Sequence, residues 1–157
     1  RETPAGARVH PAPVQPDAPR DAAEGRASDG GTARAELRAA LDRWIAATNA
    51  RNVERQMNFY GDSVNAFYLK RNATRELVRA EKSRVIGGAS AVNVSAGEPD
   101  ISVSPDGRAA TMRFRKRYQI DGGAGARRGE VLQELRWRRS ADGTWRIVSE
   151  RDLRVLN

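Results

Sequence analysis

Acid–base chemistry in this chain would have to come from carboxylates and tyrosines. The sequence contains no cysteine, and its one histidine, His10, lies in a proline-rich stretch near the N-terminus. A catalytic carboxyl or phenol also needs a pKa that burial has moved. The best-placed acids are Asp62, at the end of a predicted helix, and Glu134 and Glu150, in predicted strands.

Side-chain alternation argues against catalysis by the two strand acids. It places Glu134 and Glu150 on the outer face of a sheet, together with Arg113, Arg115 and Arg136. Pairs of arginine and glutamate on neighbouring strands are common sheet stabilisers, each contributing a fraction of a kcal/mol. We therefore predict no catalytic residue among them.

No pattern in the sequence indicates a cofactor or a metal. Asp and Glu are scattered along the chain without the spacing of a ligand cluster. Gly122-Gly123-Ala124-Gly125 is rich in glycine, but a phosphate-binding loop lies between a strand and a helix, and this stretch lies between two predicted strands. It is typical of a hairpin tip, so we predict no cofactor and no metal site.

The elements that would position these groups begin with three predicted antiparallel strands in residues 108–153. Apolar and polar side chains alternate along the first two, which is the period of a strand with one buried face. Residues 121–125 and 142–143 are predicted to turn the chain. The inward set is Ala110, Met112, Phe114, Tyr118, Val131, Leu135 and Trp137.

Three helices and several shorter strands are predicted upstream. Apolar positions at helical spacing predict helices at residues 33–49, 53–60 and 74–86, with Asn52 as the N-cap of the second. Shorter strands are predicted at residues 66–69, 91–97 and 98–103. Helices followed by antiparallel strands predict an α+β fold with the helices on one face of a curved sheet.

The N-terminal stretch differs from the rest of the chain in composition. Five of the seven prolines lie in residues 1–32, which contain few large apolar residues. Such a segment cannot bury enough surface to offset its ordering entropy. We predict a disordered linker at residues 1–32 and a folded domain at residues 33–157. The linker suggests that the domain is tethered to something N-terminal, and because the chain starts with Arg1 rather than Met, we expect it to be a processed or excised piece.

The formal net charge of +8 suggests an anionic partner. Candidates are nucleic acid, anionic lipid, a cell-wall polymer or an acidic small molecule, although a solvated arginine-rich surface gives the same composition. Nucleic acid is disfavoured because Phe114 and Trp137 have inward parity and could not stack on bases. No apolar run approaches the roughly 18 residues of a membrane span, so we expect no membrane insertion by this segment.

Several short motifs follow one another along the predicted domain. They are Leu41 and Trp44 in the first helix, Val53 and Phe59-Tyr60 in the second, residues 79–84 in the third, Ala110-x-Met112-x-Phe114-x-x-x-Tyr118, Leu135-x-Trp137, and Gly143-x-Trp145-Arg146-Ile147-Val148-Ser149-Glu150. In this order they resemble the nuclear-transport-factor-2-like (SnoaL-like) superfamily over residues 35–153. The most similar group is the extracytoplasmic module found beside bacterial cell-wall L,D-transpeptidases.

The resemblance implies a cone of three helices against a strongly curved, mostly antiparallel sheet, with a pocket at its wide end. The pocket residues it implies are Tyr60, Tyr68, Lys116, Tyr118, Gln133, Ser149 and Arg151. Arg151 or Lys116 would pair with a ligand carboxylate or phosphate. The alternative is that the tyrosines belong to the core and the basic groups lie at the rim in water.

The resemblance also implies that the outer sheet face can form a homodimer, since superfamily members often dimerise there. This basic face carries Arg113, Arg115, Arg117, Arg136 and Arg138. An anionic polymer could bind the same face.

We therefore predict a non-catalytic module for ligand binding or self-association, tethered by a flexible linker to an envelope protein. The expected location is the periplasmic or extracellular side of a bacterial envelope, with the cytoplasm as the alternative. The superfamily also includes isomerase-like and dehydratase-like enzymes, so the alternative function is a small enzyme using Tyr60, Tyr118 and Asp62. The deciding observation is a carboxylate that faces the cavity within hydrogen-bond reach of a tyrosine.

Overall fold

The computed structural model describes residues 20–122 and 125–157, with side chains from residue 30 onward. In chain order the elements are α1 (Arg20–Asn49), α2 (Val53–Met57), β1 (Ser63–Phe67), β2 (Lys70–Thr74), α3 (Arg75–Lys82), a π-helical turn (Ser83–Gly87), β3 (Ala89–Ala96), β4 (Asp100–Val103), β5 (Ala109–Gly122), β6 (Arg127–Arg139) and β7 (Trp145–Val155). The predicted hairpin tip includes residues 123 and 124, which lie outside the described residues.

Helix α1 is longer than its apolar pattern predicts. It begins at Arg20 rather than at residue 33, so part of the stretch predicted as a linker is helical, while the boundary between linker and domain stays a prediction. The prolines stop at Pro19, and the residues that follow combine helix-forming alanines, arginines and a glutamate with three glycines, so their helix propensity is mixed. Residues 1–19, with His10, lie outside the described part of the chain.

The two shorter helices start at side-chain caps. The Asn52 side chain accepts a hydrogen bond from the Arg55 backbone N–H at 3.0 Å, which confirms the predicted cap of α2. The Thr74 hydroxyl accepts one from the Leu77 N–H at 3.1 Å and starts α3. Each cap satisfies a backbone donor that a helix start leaves unpaired.

The sheet has the strand order β2-β1-β7-β6-β5-β3, and β4 also pairs with β5. All pairs are antiparallel except β1 with β7, which is parallel. Strand β2 is absent from the prediction because Lys70, Arg71 and Asn72 are exposed and show no alternation. The tight β1–β2 connection uses a positive φ of 54° at Tyr68.

The helices pack on one face of this sheet, which we call the inner face. Met112, Phe114, Leu135 and Trp137 project from β5 and β6 into one cluster with Trp44 of α1. These five residues are at most 2% exposed. The predicted α+β cone, with three helices on a strongly curved, mostly antiparallel sheet, is therefore confirmed.

Strand β7 departs from strict alternation at two points. Ile147 pairs with Trp137 and Ser149 with Arg136, so Val148 is an extra residue. Leu153 is a second one, between Asp152 and Arg154. Each is a β-bulge, and past such a bulge the two faces of a strand are exchanged.

Among residues 20–122 and 125–157, no helix combines the length and the apolar character that crossing a membrane requires.

Candidate functional site

A cavity of about 390 Å³ opens between α3, the β1–β2 hairpin and the inner face of the sheet. Its apolar lining is Trp44, Phe67, Leu69, Val85, Ile86, Val94 and Ile120, and its polar and charged lining is Thr48, Gln56, Tyr68, Lys70, Glu81, Lys82, Arg84, Lys116, Tyr118, Arg127 and Asp152. Polar residues are the more numerous, but most of the lining surface is apolar, and a cavity of this volume and character is typical of a small-molecule site. Five lining cations outnumber the two lining carboxylates, so the site favours an anion.

One wall of the cavity is a group of side chains that we call the Lys82 cluster. Lys82 Nζ lies 2.7 Å from Glu150 Oε2, and the Tyr60 hydroxyl donates a hydrogen bond to Glu150 Oε1. Trp44 Nε1 donates to the Tyr60 oxygen at 3.2 Å. The ammonium also lies 5.5–5.9 Å from the ring centroids of Trp44, Tyr60, Phe67 and Tyr68. Such distances are those of cation–π contacts.

The cluster determines the ionisation of its members. Burial alone would raise the pKa of Glu150, but the charges of Lys82 and Lys116 and the hydrogen bonds from Lys82 and Tyr60 together outweigh it, and the pKa lies below its ordinary value. Burial, followed by the Glu150 charge, raises the pKa of Tyr60 well above its ordinary value. Glu150 therefore stays an ionised carboxylate to a lower pH than an ordinary glutamate does. Tyr60 keeps its proton and acts as a hydrogen-bond donor.

Lys116, on the opposite wall, is also buried but has a different environment. Among the described residues, no carboxylate oxygen lies within 4 Å of its Nζ, in contrast to Lys82. The ammonium instead lies 5.7 Å from the ring centroid of Tyr118. Burial lowers the pKa of Lys116, with Lys82 adding to this and Asp152 and Glu150 opposing it.

The ring of Tyr118 packs on Gly129 of the neighbouring strand. Tyr118 pairs with Gly129 across the β5–β6 ladder, and a Cβ at position 129 would lie 2.7 Å from the Tyr118 hydroxyl oxygen. A side chain at this position would displace the ring, and with it the aromatic surface beside Lys116.

Two buried amides complete the site. Gln56 donates from Nε2 to the Thr48 hydroxyl at 3.0 Å, while its Oε1 has no partner among the described residues. Gln133 donates to Asp152 Oδ1 at 3.2 Å and, more weakly, to the Tyr68 oxygen at 3.5 Å. Its Oε1 likewise finds no partner in the described part of the chain. Both unpartnered oxygens are fully buried, although Gln56 is one of the residues that line the cavity.

The structure brings together some of the predicted pocket residues. Tyr68, Lys116 and Tyr118 line the cavity. Tyr60 and Gln133 point inward as predicted but lie behind the lining residues, where they hold Glu150 and Asp152. Their roles in ligand binding remain predictions.

The predicted positions of Ser149, Arg151 and Glu150 are wrong for one reason. The bulge at Val148 turns Ser149 and Arg151 to the outer face, where Arg151 Nη2 binds Glu134 Oε1 at 3.0 Å. The same bulge turns Glu150 inward to Lys82 and Tyr60.

The basic face is partly neutralised within the chain. Glu134 binds Arg113, Arg136 and Arg151 at 3.0–3.1 Å. Glu130 binds Arg117 at 3.2 Å and Arg115 at 3.5 Å. The outer face thus carries six arginines, the five predicted ones and Arg151, but only two glutamates that bind them in the described residues. Arg138 is exposed. The predicted pairing of Glu134 with Arg113 and Arg136 is confirmed, while Arg115 binds Glu130 instead.

The other predicted acid lies away from the site. Asp62 is exposed at the start of β1, so it does not join Tyr60 and Tyr118 as the enzyme hypothesis requires. No group of three or more histidines, aspartates or glutamates that could hold a metal ion occurs in the described ranges.

Solved structures with this architecture come from several bacteria. A nuclear transport factor 2-like superfamily protein of Salmonella enterica superposes with a TM-score of 0.68 at 14% identity, over 78% of this chain and 90% of that one. The chain has the nuclear-transport-factor-2-like fold. A proposed dehydratase of the same fold family from Streptomyces avermitilis superposes with a TM-score of 0.60 at 15% identity, over 74% of this chain and 91% of that one.

The nuclear-transport-factor-2-like fold also matches part of a longer protein. A Bdellovibrio bacteriovorus structure superposes with a TM-score of 0.62 at 15% identity, over 76% of this chain but 40% of that one. Identities this low show the fold and no activity. No protein-family model and no curated protein matches the sequence.

Sequence reasoning missed three of the residues that shape the cavity. Lys82 could have been found, because it follows Val78 by four residues and so lies on the buried face of α3. Gln56 also lies on the buried side of its helix, beside Met57. Asp152 could not have been found, because its inward direction depends on the bulge at Val148.

Proposed function

We propose that the chain is a non-catalytic module whose cavity binds a small, mainly apolar molecule with one acidic end. The acidic end contacts Lys116, and the apolar body lies against Trp44, Val94 and Ile120. The observation that carries the proposal is the environment of Lys116, a buried ammonium without a carboxylate within 4 Å among the described residues. Burial of the ammonium costs free energy that the charges of Asp152 and Glu150 offset only in part, and a ligand carboxylate in direct contact would reduce that cost.

A set of small molecules that share one alkyl chain and differ in their head group tests this proposal directly. Octanoate, octanol and octylamine share an apolar chain that suits the cavity and differ in charge. Trp44 lines the cavity, so quenching of tryptophan fluorescence reports occupancy. We expect octanoate to bind more tightly than octanol, and octylamine to bind least.

Two lysine variants serve as the matched pair. Lys116→Met is expected to weaken octanoate binding about tenfold or more, the size of a lost charge-assisted hydrogen bond, and to leave octanol binding unchanged. Lys70→Met, at the exposed mouth, is expected to change octanoate binding little. Equal affinity for octylamine and octanoate, or an unaltered Lys116→Met variant, would contradict the proposal.

The proposal extends to the setting of the module. Residues 1–19 contain five prolines, a composition typical of a linker. The match to part of a longer Bdellovibrio protein supports a module joined to other domains. We place it on the periplasmic or extracellular side of a bacterial envelope. Protease accessibility of the full-length protein in intact spheroplasts tests this location, and protection until the cells are lysed would contradict it.

A second candidate function is a small isomerase-like or dehydratase-like enzyme. It is favoured by Glu150, an inward carboxylate that accepts a hydrogen bond from Tyr60. Two observations weaken it: Lys82 and Lys116 keep the pKa of Glu150 low, which makes it a poor base, and both Glu150 and Tyr60 lie behind the cavity lining. Proton exchange at the carbon next to the carbonyl of bound cyclohexanone, lost in Glu150→Gln, would support the enzyme.

A further inference from the structure

The sequence contains three lysines, and each of them has a different environment. The lysines are Lys70, Lys82 and Lys116. Lys70 is exposed, Lys82 is buried and bound to Glu150, and Lys116 is buried without a carboxylate within 4 Å among the described residues. Lys70 also lines the cavity but is exposed, so among the three lysines only Lys116 combines burial in the cavity with the absence of a carboxylate within 4 Å in the described residues.

These are the conditions under which a lysine becomes a nucleophile. The reactive form of lysine is the neutral amine, and an apolar site with a second nearby cation favours that form. Burial and Lys82 together lower the pKa of Lys116. Lys82, by contrast, is engaged in an ion pair, because its Nζ lies 2.7 Å from Glu150 Oε2.

We propose that Lys116 forms a reversible imine with a small, mainly apolar aldehyde or ketone bound in the cavity. The inference deepens the proposed function, since it rests on the same cavity taking a small ligand and names a carbonyl compound as a ligand class. The Lys116 Nζ lone pair forms a bond to the carbonyl carbon, and the carbonyl π electrons move to oxygen. Two protons pass from nitrogen to that oxygen, which leaves as water, and no oxidant or reductant is needed.

The groups around Lys116 suit this chemistry. Asp152 and Tyr118 line the same cavity and can pass protons between nitrogen and oxygen. The apolar lining limits water, which would otherwise hydrolyse the imine.

Trapping with octanal and sodium cyanoborohydride tests the proposal, because the reductant converts an imine into a stable secondary amine. The full chain is treated at neutral pH and digested, and the octylated peptides are quantified by mass spectrometry. We expect octylation of Lys116 to be at least about tenfold faster than that of Lys70. Lys82 should react slowest, because its amine is engaged by Glu150.

Two variants and one denatured control define the outcomes. Lys116→Arg retains the charge and should abolish the fast reaction, while Arg138→Ala, at an exposed position on the outer face, should retain it. In urea the preference for Lys116 should disappear, which shows that it depends on the fold. Equal labelling of Lys70 and Lys116 in the folded protein, or no labelling of Lys116, overturns the proposal.

The trapping experiment with octanal and the binding experiment with octanoate can fail independently of each other. If octanoate binds at Lys116 but octanal is not trapped there, the cavity binds acids and the imine inference fails. If octanal is trapped at Lys116 but octanoate does not bind, the acidic-ligand proposal fails and the imine inference stands.

Discussion

Glu134 and Glu150 offer a comparison between the two faces of one sheet. Both side chains are 0% exposed, and both have a pKa below the ordinary value even though burial acts in the opposite direction. Glu134 faces outward to Arg113, Arg136 and Arg151, whose side chains are 41–53% exposed. Glu150 faces inward to Lys82, whose side chain is 9% exposed.

The difference lies in what each partner would do without its glutamate. An arginine that is half exposed can be solvated by water, so the three arginines that would lose Glu134 stay hydrated. Lys82 has no such access, and its charge depends on Glu150. The outer ion pairs therefore contribute little to the stability of the fold, whereas the inner ion pair is part of the core.

Replacing each glutamate by glutamine should separate the two faces most clearly. We expect Glu150→Gln to lower the free energy of unfolding by about 3 kcal/mol, because it leaves the Lys82 ammonium buried without a counter-ion. Glu134→Gln should lower it by about 1 kcal/mol, because its arginines remain hydrated. Urea titration followed by circular dichroism measures both.

A double variant provides the control for the inner pair. Lys82→Met combined with Glu150→Gln removes both charges and keeps an acceptor for the Tyr60 hydroxyl, so it should recover most of the lost stability. If Glu134→Gln is as destabilising as Glu150→Gln, the contrast between the faces is wrong.

Acid should act on both glutamates in the same direction. Because the folded-state pKa of Glu150 lies below its ordinary value of 4.5, its contribution to stability is present above that pH and is lost as the pH falls through the folded-state pKa. We expect thermal melts of the wild type to lose stability steadily below about pH 4.5. Glu150→Gln should show a shallower decline, and an identical pH profile would contradict the assignment of a charged Glu150.

Removing the charge of Lys116 is expected to stabilise the fold, in contrast to breaking the Lys82–Glu150 ion pair. Its lowered pKa means that the unfolded chain holds the proton more tightly, so the charge opposes folding at neutral pH. We expect Lys116→Met to raise the free energy of unfolding by about 1 kcal/mol at pH 7. The gain should shrink as the pH rises towards 10.5, the ordinary value. A variant that is less stable than the wild type would indicate a structural role for Lys116 instead of a binding role.

The smallest effect is expected on the outer face. Arg115 lies 3.5 Å from Glu130, and its side chain is 66% exposed. Arg115→Ala should change the free energy of unfolding by less than about 0.5 kcal/mol, as is usual for an exposed ion pair. A larger loss in a dilute, monomeric sample would show that the basic face contributes to the fold itself.

Much of the architecture follows from local sequence pattern. The alternation along β5 and β6 correctly predicts that Phe114 and Lys116 point inward and that Arg113 and Arg115 point outward. Asn52 correctly predicts the start of α2. These predictions succeed because strand parity and helix capping depend on residues close together in the chain.

Only the tertiary structure decided what the cavity wall is made of. The bulge at Val148 is defined by the register of β7 against β6, so it leaves no sign in the alternation of β7 itself. It exchanges Arg151 for Glu150 on the inner face and so brings Glu150 to Lys82, 68 residues away in the chain. The sequence alone determined that a curved sheet would have one apolar and one basic face, because side-chain period is local. Which charges are buried between the sheet and its helices depended on strand register, because register is set by pairing between distant segments.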